Sequence, residues 1–205
     1  TINYSLLNPN NEVISSGNIE NNRIQIDIND VELWSAESPI LYTLLIKTEN
    51  EVIKERIGMR EIKIENSILK INNKKVKLRG VNHHDSNPTK GYVMSEADIE
   101  IHGVVELYGL GYLDNYNMIA DDKVYEKVII DRVDSSIVPF KNKSCIFMWS
   151  LGNESGFGCN FERGLEYARN LDPTRPLHYE GAHYASKERE NDFTNIDVIS
   201  RMYIS

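Results

Sequence analysis

A short apolar strand that runs directly into a glycine-punctuated polar loop constrains this sequence more than any other feature. Residues 145–149 read Cys-Ile-Phe-Met-Trp, an almost wholly apolar run with aromatic and β-branched members. Such a run is typical of a strand buried on both faces, as in a parallel sheet. Glu154 follows just after that strand, and in parallel α/β architectures the reactive groups lie at the carboxyl ends of strands. The pattern indicates either a catalytic carboxylate at Glu154 or a loop carboxylate that caps the next helix.

The charge and composition of the chain exclude several classes of partner. The 205 residues carry a formal net charge of −8 and contain no basic cluster. Because nucleic-acid binding relies on Lys and Arg to neutralise phosphates, no nucleic-acid partner is expected, and neutral substrates fit better. No apolar run approaches the length of a membrane span and the first residues lack the features of a signal peptide, so we expect no membrane partner and a cytoplasmic location. The two cysteines, Cys145 and Cys159, are too few for a disulfide framework and are not in a metal-binding spacing.

The N-terminal part of the chain predicts an antiparallel β-sandwich without a helix of consequence. Apolar residues alternate at the strand period, as in Ile24, Ile26 and Ile28, and turn segments such as 8–11 and 16–18 separate the runs. Farther along, residues 68–71 and 76–78 flank Asn-Asn-Lys-Lys and predict a hairpin that leads into a second region. We therefore predict a domain boundary near Lys63, with a sandwich over 1–63 and a second domain over 64–205.

The second region predicts strands that alternate with amphipathic helices. Asp121 or Asp122 is expected to cap a helix whose apolar face comprises Tyr125, Val128, Ile129, Val133 and Ile137. A later helix carries apolar residues at near-helical intervals over 161–171 and ends before Asp172-Pro173. Strands are expected at 145–149, 176–180 and 198–203. This β-α-β-α-β order is typical of a parallel sheet or barrel.

Four ordered motifs extend the pattern around Glu154. They read Leu-Arg-Gly-Val-Asn-His-His-Asp at 78–85, Ser-Glu-Ala-Asp-Ile-Glu-Ile-His-Gly at 95–103, Trp-Ser-Leu-Gly-Asn-Glu-Ser-Gly at 149–156 and Asp-Pro-Thr-Arg-Pro at 172–176. In this order they resemble glycoside hydrolase family 2, specifically its bacterial β-galactosidases. The resemblance runs from about Asn29 to the last residue, and it implies the end of an immunoglobulin-like β-sandwich followed by a (β/α)8 TIM barrel.

The resemblance also implies that parts of this barrel are missing. The strand candidates at 76–81 and 92–97 are separated by a short loop, whereas parallel neighbours need a crossover of about a dozen residues. In the family, a helix, the second barrel strand and another helix stand between them, so their flanks join here near Tyr92-Val93. The sequence ends around the sixth barrel strand. We therefore expect a sandwich remnant and an incomplete TIM barrel that lacks strands 2, 7 and 8.

The same resemblance assigns roles at the site. Retaining hydrolysis of a β-glycoside needs two carboxyl groups roughly 5 Å apart, and Glu154 matches the acid/base of the pair. Asn153 is implied to hydrogen-bond the sugar 2-hydroxyl, His84 to contact the sugar, and Tyr203 to hydrogen-bond around the nucleophile. For His84, a histidine satisfied by its neighbour is the alternative. The nucleophilic glutamate of the family lies on the seventh strand, so no nucleophile is expected in this chain, and Glu180 at the end of the fifth strand is not given that role.

A metal half-site is predicted at Glu100 and His102. The two residues are two positions apart, so on an extended segment both side chains leave the same face. By the resemblance, Glu100, His102 and Glu154 bind Mg²⁺. Carboxylate oxygens suit Mg²⁺, and the single imidazole would also admit Mn²⁺. A purely structural Glu-x-His pair is the alternative.

The implied function is a Mg²⁺-assisted retaining β-galactosidase that acts on terminal β-D-galactosides, with this chain inactive on its own. β-Glucuronidases and β-mannosidases share the fold, but proline commonly follows their Asn-Glu, so Ser155 favours galactose. The alternative is a non-catalytic carbohydrate-binding or assembly fragment that needs a complementing chain to supply the missing strands. A homo-oligomer is also compatible with the sequence.

Overall fold

A computed structural model of the protein describes residues 2–79 and 117–201. The chain divides into two compact units. The first comprises Thr1–Glu61, Ile71–Lys74 and Asn142–Ser144, and the second comprises the remaining residues. The boundary near Lys63 stays a prediction. None of the helices in the described ranges combines the length and apolar character needed to cross a bilayer.

An antiparallel sheet of four strands forms the centre of the first unit. The strands are β1 (Asn3–Leu7), β2 (Val13–Asn18), β3 (Tyr42–Lys47) and β4 (Val52–Ile57), in the order β2-β1-β3-β4. The register places Leu6 opposite Leu44 on β3 and opposite Ser15 on β2, and Leu6 is buried. Tyr42 is also buried, and its hydroxyl accepts a hydrogen bond from the backbone N–H of Glu32 at 3.0 Å. As the alternating pattern predicts, the unit contains no helix within its described residues.

Asparagine side chains and one tight glycine determine the turns of this unit. The Asn8 side-chain oxygen accepts hydrogen bonds from the backbone N–H groups of Asn10 and Glu12, at 3.0 and 2.9 Å, which closes the β1–β2 turn. Gly58 donates its N–H to the Ser144 hydroxyl at 2.6 Å, and a Cβ at position 58 would lie 2.8 Å from the Trp34 Cβ. Only glycine permits this close approach.

The predicted hairpin after the sheet forms, with a shorter second arm than expected. Strands β5 (Ile62–Glu65), β6 (Ile68–Ile71) and β7 (Lys74–Lys75) make a sheet in the order β5-β6-β7. Both connections have two residues at positive φ, with 51° and 60° at Asn66-Ser67 and 51° and 63° at Asn72-Asn73. Two-residue turns of this kind match the twist of paired strands. The turn therefore occupies 72–73, and the second arm begins at Lys74 rather than at Val76.

The second unit alternates helices with very short parallel strands. Its helices are α1 (Met118–Asp121), α2 (Glu126–Ile137) and α3 (Cys159–Leu171), with 3₁₀ turns at Lys123–Tyr125 and Glu180–Tyr184; its strands are β8 (Trp149–Ser150) and β9 (Leu177–His178). Strands β8 and β9 are parallel, with Trp149 opposite Leu177, and His178 forms a further parallel bridge to Val198. The predicted strand order is thus present within the described residues.

The strands of this unit are shorter than the sequence predicts, for identifiable reasons. Ile146 lies in the apolar run 145–149, but its carbonyl accepts a hydrogen bond from Arg175 Nε at 2.6 Å instead of joining the ladder. On the other strand the ladder ends at His178, because Glu180 begins a 3₁₀ turn. Glu180, predicted to end a strand, therefore lies in that turn.

The core of the second unit lies between α2, α3 and the two strands. It contains Ile129, Val133 and Ile137 of α2, Phe161, Leu165 and Ala168 of α3, and Trp149, Leu151, Leu177 and Tyr179 from the strand segments. Both helices follow the predicted apolar spacing. Val128 is an exception: it is 48% exposed, because the buried residues of α2 recur every four positions from Ile129. A Cβ at Gly164 would lie 3.2 Å from Ile129 Cγ2, so the two helices approach closely at this glycine.

The buried carboxylate of Asp172 joins the end of α3 to β8. Its Oδ2 accepts hydrogen bonds from Trp149 Nε1 at 2.8 Å and from the Arg175 guanidinium, and its Oδ1 accepts from the Thr174 N–H at 3.0 Å and from the Thr174 hydroxyl. Burial acts to raise the pKa of Asp172, but the hydrogen bonds from Thr174, Trp149 and Arg175 outweigh it and hold the pKa below its usual value. The carboxylate is therefore a structural anion.

We expect Asp172→Asn to destabilise the second unit by about 3 kcal/mol at pH 7, because it leaves the Arg175 charge buried without its partner. Urea denaturation followed by Trp149 fluorescence in a Trp34→Phe background measures this. Asp131→Asn, the same change at an exposed position of α2, is the matched control and should have little effect. Equal unfolding free energies for Asp172→Asn and its parent would contradict this role.

The pH dependence of that difference has a definite sign. Since the folded-state pKa of Asp172 is lowered, its stabilisation is fully present above the unfolded pKa of about 3.9 and is lost as the pH falls through the folded value. The difference between the Asp172→Asn variant and its parent should therefore shrink in acid.

His178 provides a second pH-dependent contribution. Its Nδ1 lies 2.8 Å from the Ser150 hydroxyl, its Nε2 lies 2.8 Å from the Ser200 hydroxyl, and burial lowers its pKa. In the unfolded chain the histidine has a pKa of about 6.5, so as the pH falls the unfolded state takes up a proton before the folded state does. The free energy of unfolding should therefore decrease as the pH falls from 7 towards 5. His178→Gln should flatten that slope in urea titrations at successive pH values. The same slope with and without His178 would refute this assignment.

Candidate functional site

The loop that follows β8 presents Asn153 and Glu154. Both residues are half-buried and lie just past the carboxyl end of this parallel strand. Glu154 has φ 49° and Gly156 has φ 70°, so the chain enters the left-handed region twice within three residues. For a residue with a long side chain this conformation costs on the order of 1–3 kcal/mol and persists only where the surrounding structure enforces it. The loop is therefore held in place by its neighbours.

The carboxylate of Glu180 is one of these neighbours. Its Oε2 accepts a hydrogen bond from the backbone N–H of Glu154 at 2.9 Å, and Glu180 is 3% exposed. Its Oε1 lies 3.3 Å from His183 Nδ1, and that nitrogen is 2.7 Å from the Glu180 carbonyl oxygen. Sequence reasoning considered Glu180 only as a nucleophile and missed this contact, which depends on the parallel pairing of β8 with β9.

The loop is also fixed at Gly156 and Phe157. The Tyr179 hydroxyl donates to the carbonyl of Gly156, and a Cβ at Gly181 would lie 2.6 Å from that same oxygen. Phe157 is fully buried, and its N–H donates to the side-chain oxygen of Asn117 at 2.9 Å. The segment 179–181 therefore lies directly against the loop, and a bulkier residue at 181 would displace it.

Glu154 does not cap the next helix, which was the alternative for this carboxylate. Helix α3 begins at Cys159, and the N–H of Cys159 is bound by the Asp121 side chain at 3.0 Å. The Cys159 thiol also donates to the Asp121 carbonyl at 3.2 Å. Burial, followed by the nearby Asp121 carboxylate, raises the pKa of this thiol, so it is held in its neutral form. Because Asp121 binds the first N–H of α3, the Glu154 side chain does not cap this helix.

The burial of Glu180 also argues against its attack on a sugar. A nucleophilic carboxylate must reach an anomeric carbon, and its partner carboxyl must lie roughly 5 Å away across the scissile bond. Glu180 is enclosed by protein and binds the backbone of Glu154. The expectation that Glu180 is not the nucleophile stays a prediction.

Four of the six predicted site residues lie outside the described residues: His84, Glu100, His102 and Tyr203. Their predicted roles stay predictions. Among residues 2–79 and 117–201, no group of three or more His, Cys, Asp or Glu side chains is arranged to hold a metal ion. Two of the three predicted Mg²⁺ ligands, Glu100 and His102, lie outside these ranges, so this finding concerns other parts of the chain.

Comparison with known proteins relates this geometry to a family. Residues 91–205 match the family model described as glycosyl hydrolases family 2, TIM barrel domain. Residues 2–60 match a second model, described as glycosyl hydrolases family 2. The two matches fall in the order expected from the sequence motifs.

Curated relatives agree with these matches. A protein named β-galactosidase from Staphylococcus xylosus is 42% identical over 248 residues, which covers 100% of this chain and 25% of the relative. Another protein of that name, from Actinobacillus pleuropneumoniae, is 31% identical over 266 residues, which covers 98% of this chain and 26% of the relative. The chain thus spans about a quarter of the length of these relatives.

Solved structures show the same fold. A β-D-glucuronidase from Dictyoglomus thermophilum aligns with a TM-score of 0.73 at 19% identity and covers 98% of this chain and 42% of that one. A β-glucuronidase from Parabacteroides merdae gives a TM-score of 0.71 at 18% identity and covers 98% of this chain and 30% of that one. The barrel-domain match alone covers more than half of the 205 residues. This chain belongs to family 2 of the glycosyl hydrolases.

Proposed function

We propose that this chain is the acid/base-bearing part of a retaining β-galactosidase that acts on terminal β-D-galactosides. The observation that carries the proposal is the placement of Glu154. It follows a parallel strand of the barrel domain, it is half-buried rather than enclosed, and its backbone is bound by the Glu180 carboxylate. The start of α3 is capped by Asp121, which leaves the Glu154 carboxyl available for chemistry.

In this proposal the Glu154 carboxyl donates a proton to the glycosidic oxygen as the bond to the leaving group breaks. The resulting carboxylate then takes a proton from the water that releases the sugar. Asn153, the preceding residue, would hydrogen-bond the 2-hydroxyl, an interaction that strengthens in the oxocarbenium-like transition state. His84 and Tyr203 would complete the sugar contacts. The attacking carboxylate would come from outside this chain.

We further propose galactose as the sugar. Ser155 follows Asn153-Glu154, where β-glucuronidases and β-mannosidases commonly have proline. The proteins named β-galactosidase are 42% and 31% identical to this chain, whereas the glucuronidase structures are 19% and 18% identical. The greater sequence similarity to β-galactosidases supports this assignment.

Glu100, His102 and Glu154 would hold a magnesium ion in the proposed site. Two carboxylates and one imidazole form a donor set compatible with Mg²⁺, although Mn²⁺ is also admitted. When bound, the ion would supply positive charge beside the Glu154 carboxyl. The chain's own contribution is to fix Glu154 by its backbone, because neighbouring residues such as Glu180 hold the loop in its left-handed conformation.

We also propose that the barrel lacks a segment within this chain, where the second barrel strand of the family would stand. The match to the Staphylococcus protein extends over 248 aligned positions although the chain contributes 205 residues, so the relative has residues within the match that lack counterparts here. That difference supports an internal gap, for which the sequence points to Tyr92-Val93. A complementing chain or a homo-oligomer would then supply the missing strand.

The activity test uses the longest natural polypeptide that carries this sequence. We expect it to hydrolyse nitrophenyl β-galactosides in preference to β-glucuronides, and Glu154→Gln to lower kcat by about 10²- to 10⁴-fold. Glu188→Gln, the same change at an exposed position, should leave the rate unchanged. A preference for the glucuronide would overturn the galactose assignment.

The 205-residue chain on its own should show no enzymatic turnover of nitrophenyl β-galactosides, since acid assistance is a small part of accelerations that reach about 10⁶-fold or more. Comparison with Glu154→Gln from the same host excludes a contaminating enzyme. Turnover that disappears in Glu154→Gln would reveal a nucleophile within the chain. Turnover that appears only when the product of a neighbouring gene is added would favour the complementing-chain arrangement.

Magnesium should raise the thermal stability of the protein. A ligand selective for the folded state stabilises it by RT ln(1 + [L]/Kd), which is about 2.7 kcal/mol at 100 times Kd. Differential scanning fluorimetry with excess Mg²⁺ measures the shift. Glu100→Gln should abolish it and Glu188→Gln should retain it. A melting temperature that does not respond to Mg²⁺ would reject the proposed ligand set.

A further inference from the structure

We propose that Glu180 is a positioning residue for Glu154: its buried carboxylate binds the backbone N–H of Glu154 and thereby fixes the acid/base carboxyl relative to the sugar. The inference rests on the proposed function of Glu154. It assigns to Glu180 a role in the reaction that requires no contact with substrate.

The first step of the argument is the unusual backbone of Glu154. A glutamate at φ 49° is sterically disfavoured, and such residues occur where neighbouring groups impose the conformation. The N–H that this conformation exposes is bound by Glu180 Oε2 at 2.9 Å. Glu180 therefore compensates the disfavoured backbone at the residue that carries the chemistry.

The second step is the rigidity of the segment that carries Glu180. Tyr179 before it is fully buried, stacks on Phe161 with ring centroids 4.5 Å apart, and donates its hydroxyl to the Gly156 carbonyl. Gly181 after it touches that same carbonyl oxygen closely enough to exclude a Cβ. The segment 179–181, which carries the Glu180 carboxylate, is thus held against the core at Tyr179 and against the loop at Gly156.

The third step is the choice of a carboxylate at this position. Glu180 Oε1 is buried and has no hydrogen-bond partner among the described residues, although His183 Nδ1 lies 3.3 Å away. An acceptor left in this state is costly for stability alone. The Glu180 carboxyl nevertheless presents its other oxygen, Oε2, to the Glu154 N–H at 2.9 Å. The arrangement favours a fixed Glu154 over a fully satisfied interior.

The consequence for the reaction is specific to acid assistance. Misplacing a reacting group by about 1 Å costs on the order of 10²-fold in rate. Protonation of the departing oxygen matters greatly for a sugar or alkyl leaving group and little for a dinitrophenolate, which leaves as a stable anion. Loss of positioning should therefore depend on the leaving group, whereas loss of folded protein would not.

The kinetic test compares Glu180→Leu, Glu180→Gln and the exposed control Glu188→Leu in the longest natural polypeptide that carries this sequence. For Glu180→Leu we expect kcat/KM to fall by about 10²-fold on lactose and by less than about tenfold on 2,4-dinitrophenyl β-galactoside. Glu180→Gln should recover most of the loss, because the amide oxygen still accepts the N–H. Equal losses on both substrates, or no loss, would overturn the proposal.

A second measurement does not depend on activity. Hydrogen–deuterium exchange of the peptide spanning 151–157 should accelerate at least about tenfold in Glu180→Leu and stay near the original rate in Glu180→Gln. Exchange of α3 serves as the internal control for global unfolding. Unchanged loop exchange in Glu180→Leu would overturn the proposal.

The variant Glu154→Gln separates this inference from the function on which it rests. If Glu154→Gln shows no leaving-group dependence, the acid/base assignment fails, and the positioning role fails with it even where exchange confirms the contact. If Glu154→Gln shows that dependence and Glu180→Leu does not, the acid/base assignment stands and the positioning role alone is rejected.

Discussion

The strand pairing of the second unit depends on the buried carboxylate of Asp172, which follows the end of α3. Strands β8 and β9 are each two residues long, too short for their ladder alone to fix their register. The Asp172 carboxylate supplies the missing constraint, because it binds the Trp149 indole of β8 and the Arg175 guanidinium just before β9. Arg175 in turn binds the Ile146 carbonyl ahead of β8. This network aligns the carboxyl ends of the two strands, and the loops that follow them therefore meet.

The meeting of these loops gives two glutamates opposite environments. Glu154 is half-buried, with its backbone bound and its carboxyl available. Glu180 is enclosed, and its carboxylate is committed to the backbone of its neighbour. The two glutamates differ in environment because Glu154 lies in the loop after β8, whereas Glu180 begins the 3₁₀ turn after β9.

Much of this arrangement was predictable from the sequence, and the remainder depended on long-range contacts. Apolar spacing predicted both long helices, the Asn-Asn pair predicted a hairpin, and the strand–loop pattern predicted the position of Glu154. Strand lengths were overestimated, because the Arg175 side chain takes a backbone carbonyl that an apolar run would offer to a ladder. The Glu180–Glu154 contact joins residues 26 positions apart and follows from the strand register, which no local pattern encodes. The sites at His84, Glu100, His102 and Tyr203 lie outside the described residues.

The distant cap of α3 has a consequence for the order of folding. Gly158 precedes the helix without a capping side chain; instead Asp121 binds the Cys159 N–H, and the Asn160 side chain binds the carbonyls of Ile119 and Asp122. A helix of 13 residues is marginal by itself in water, and here the N–H of its first residue is bound by a segment about 40 positions earlier in the chain. Closing that loop costs entropy before the contacts are gained. Helix α3 should thus become stable late, together with the docking of α1, so that the loop carrying Glu154 acquires its shape only when both helices are in place.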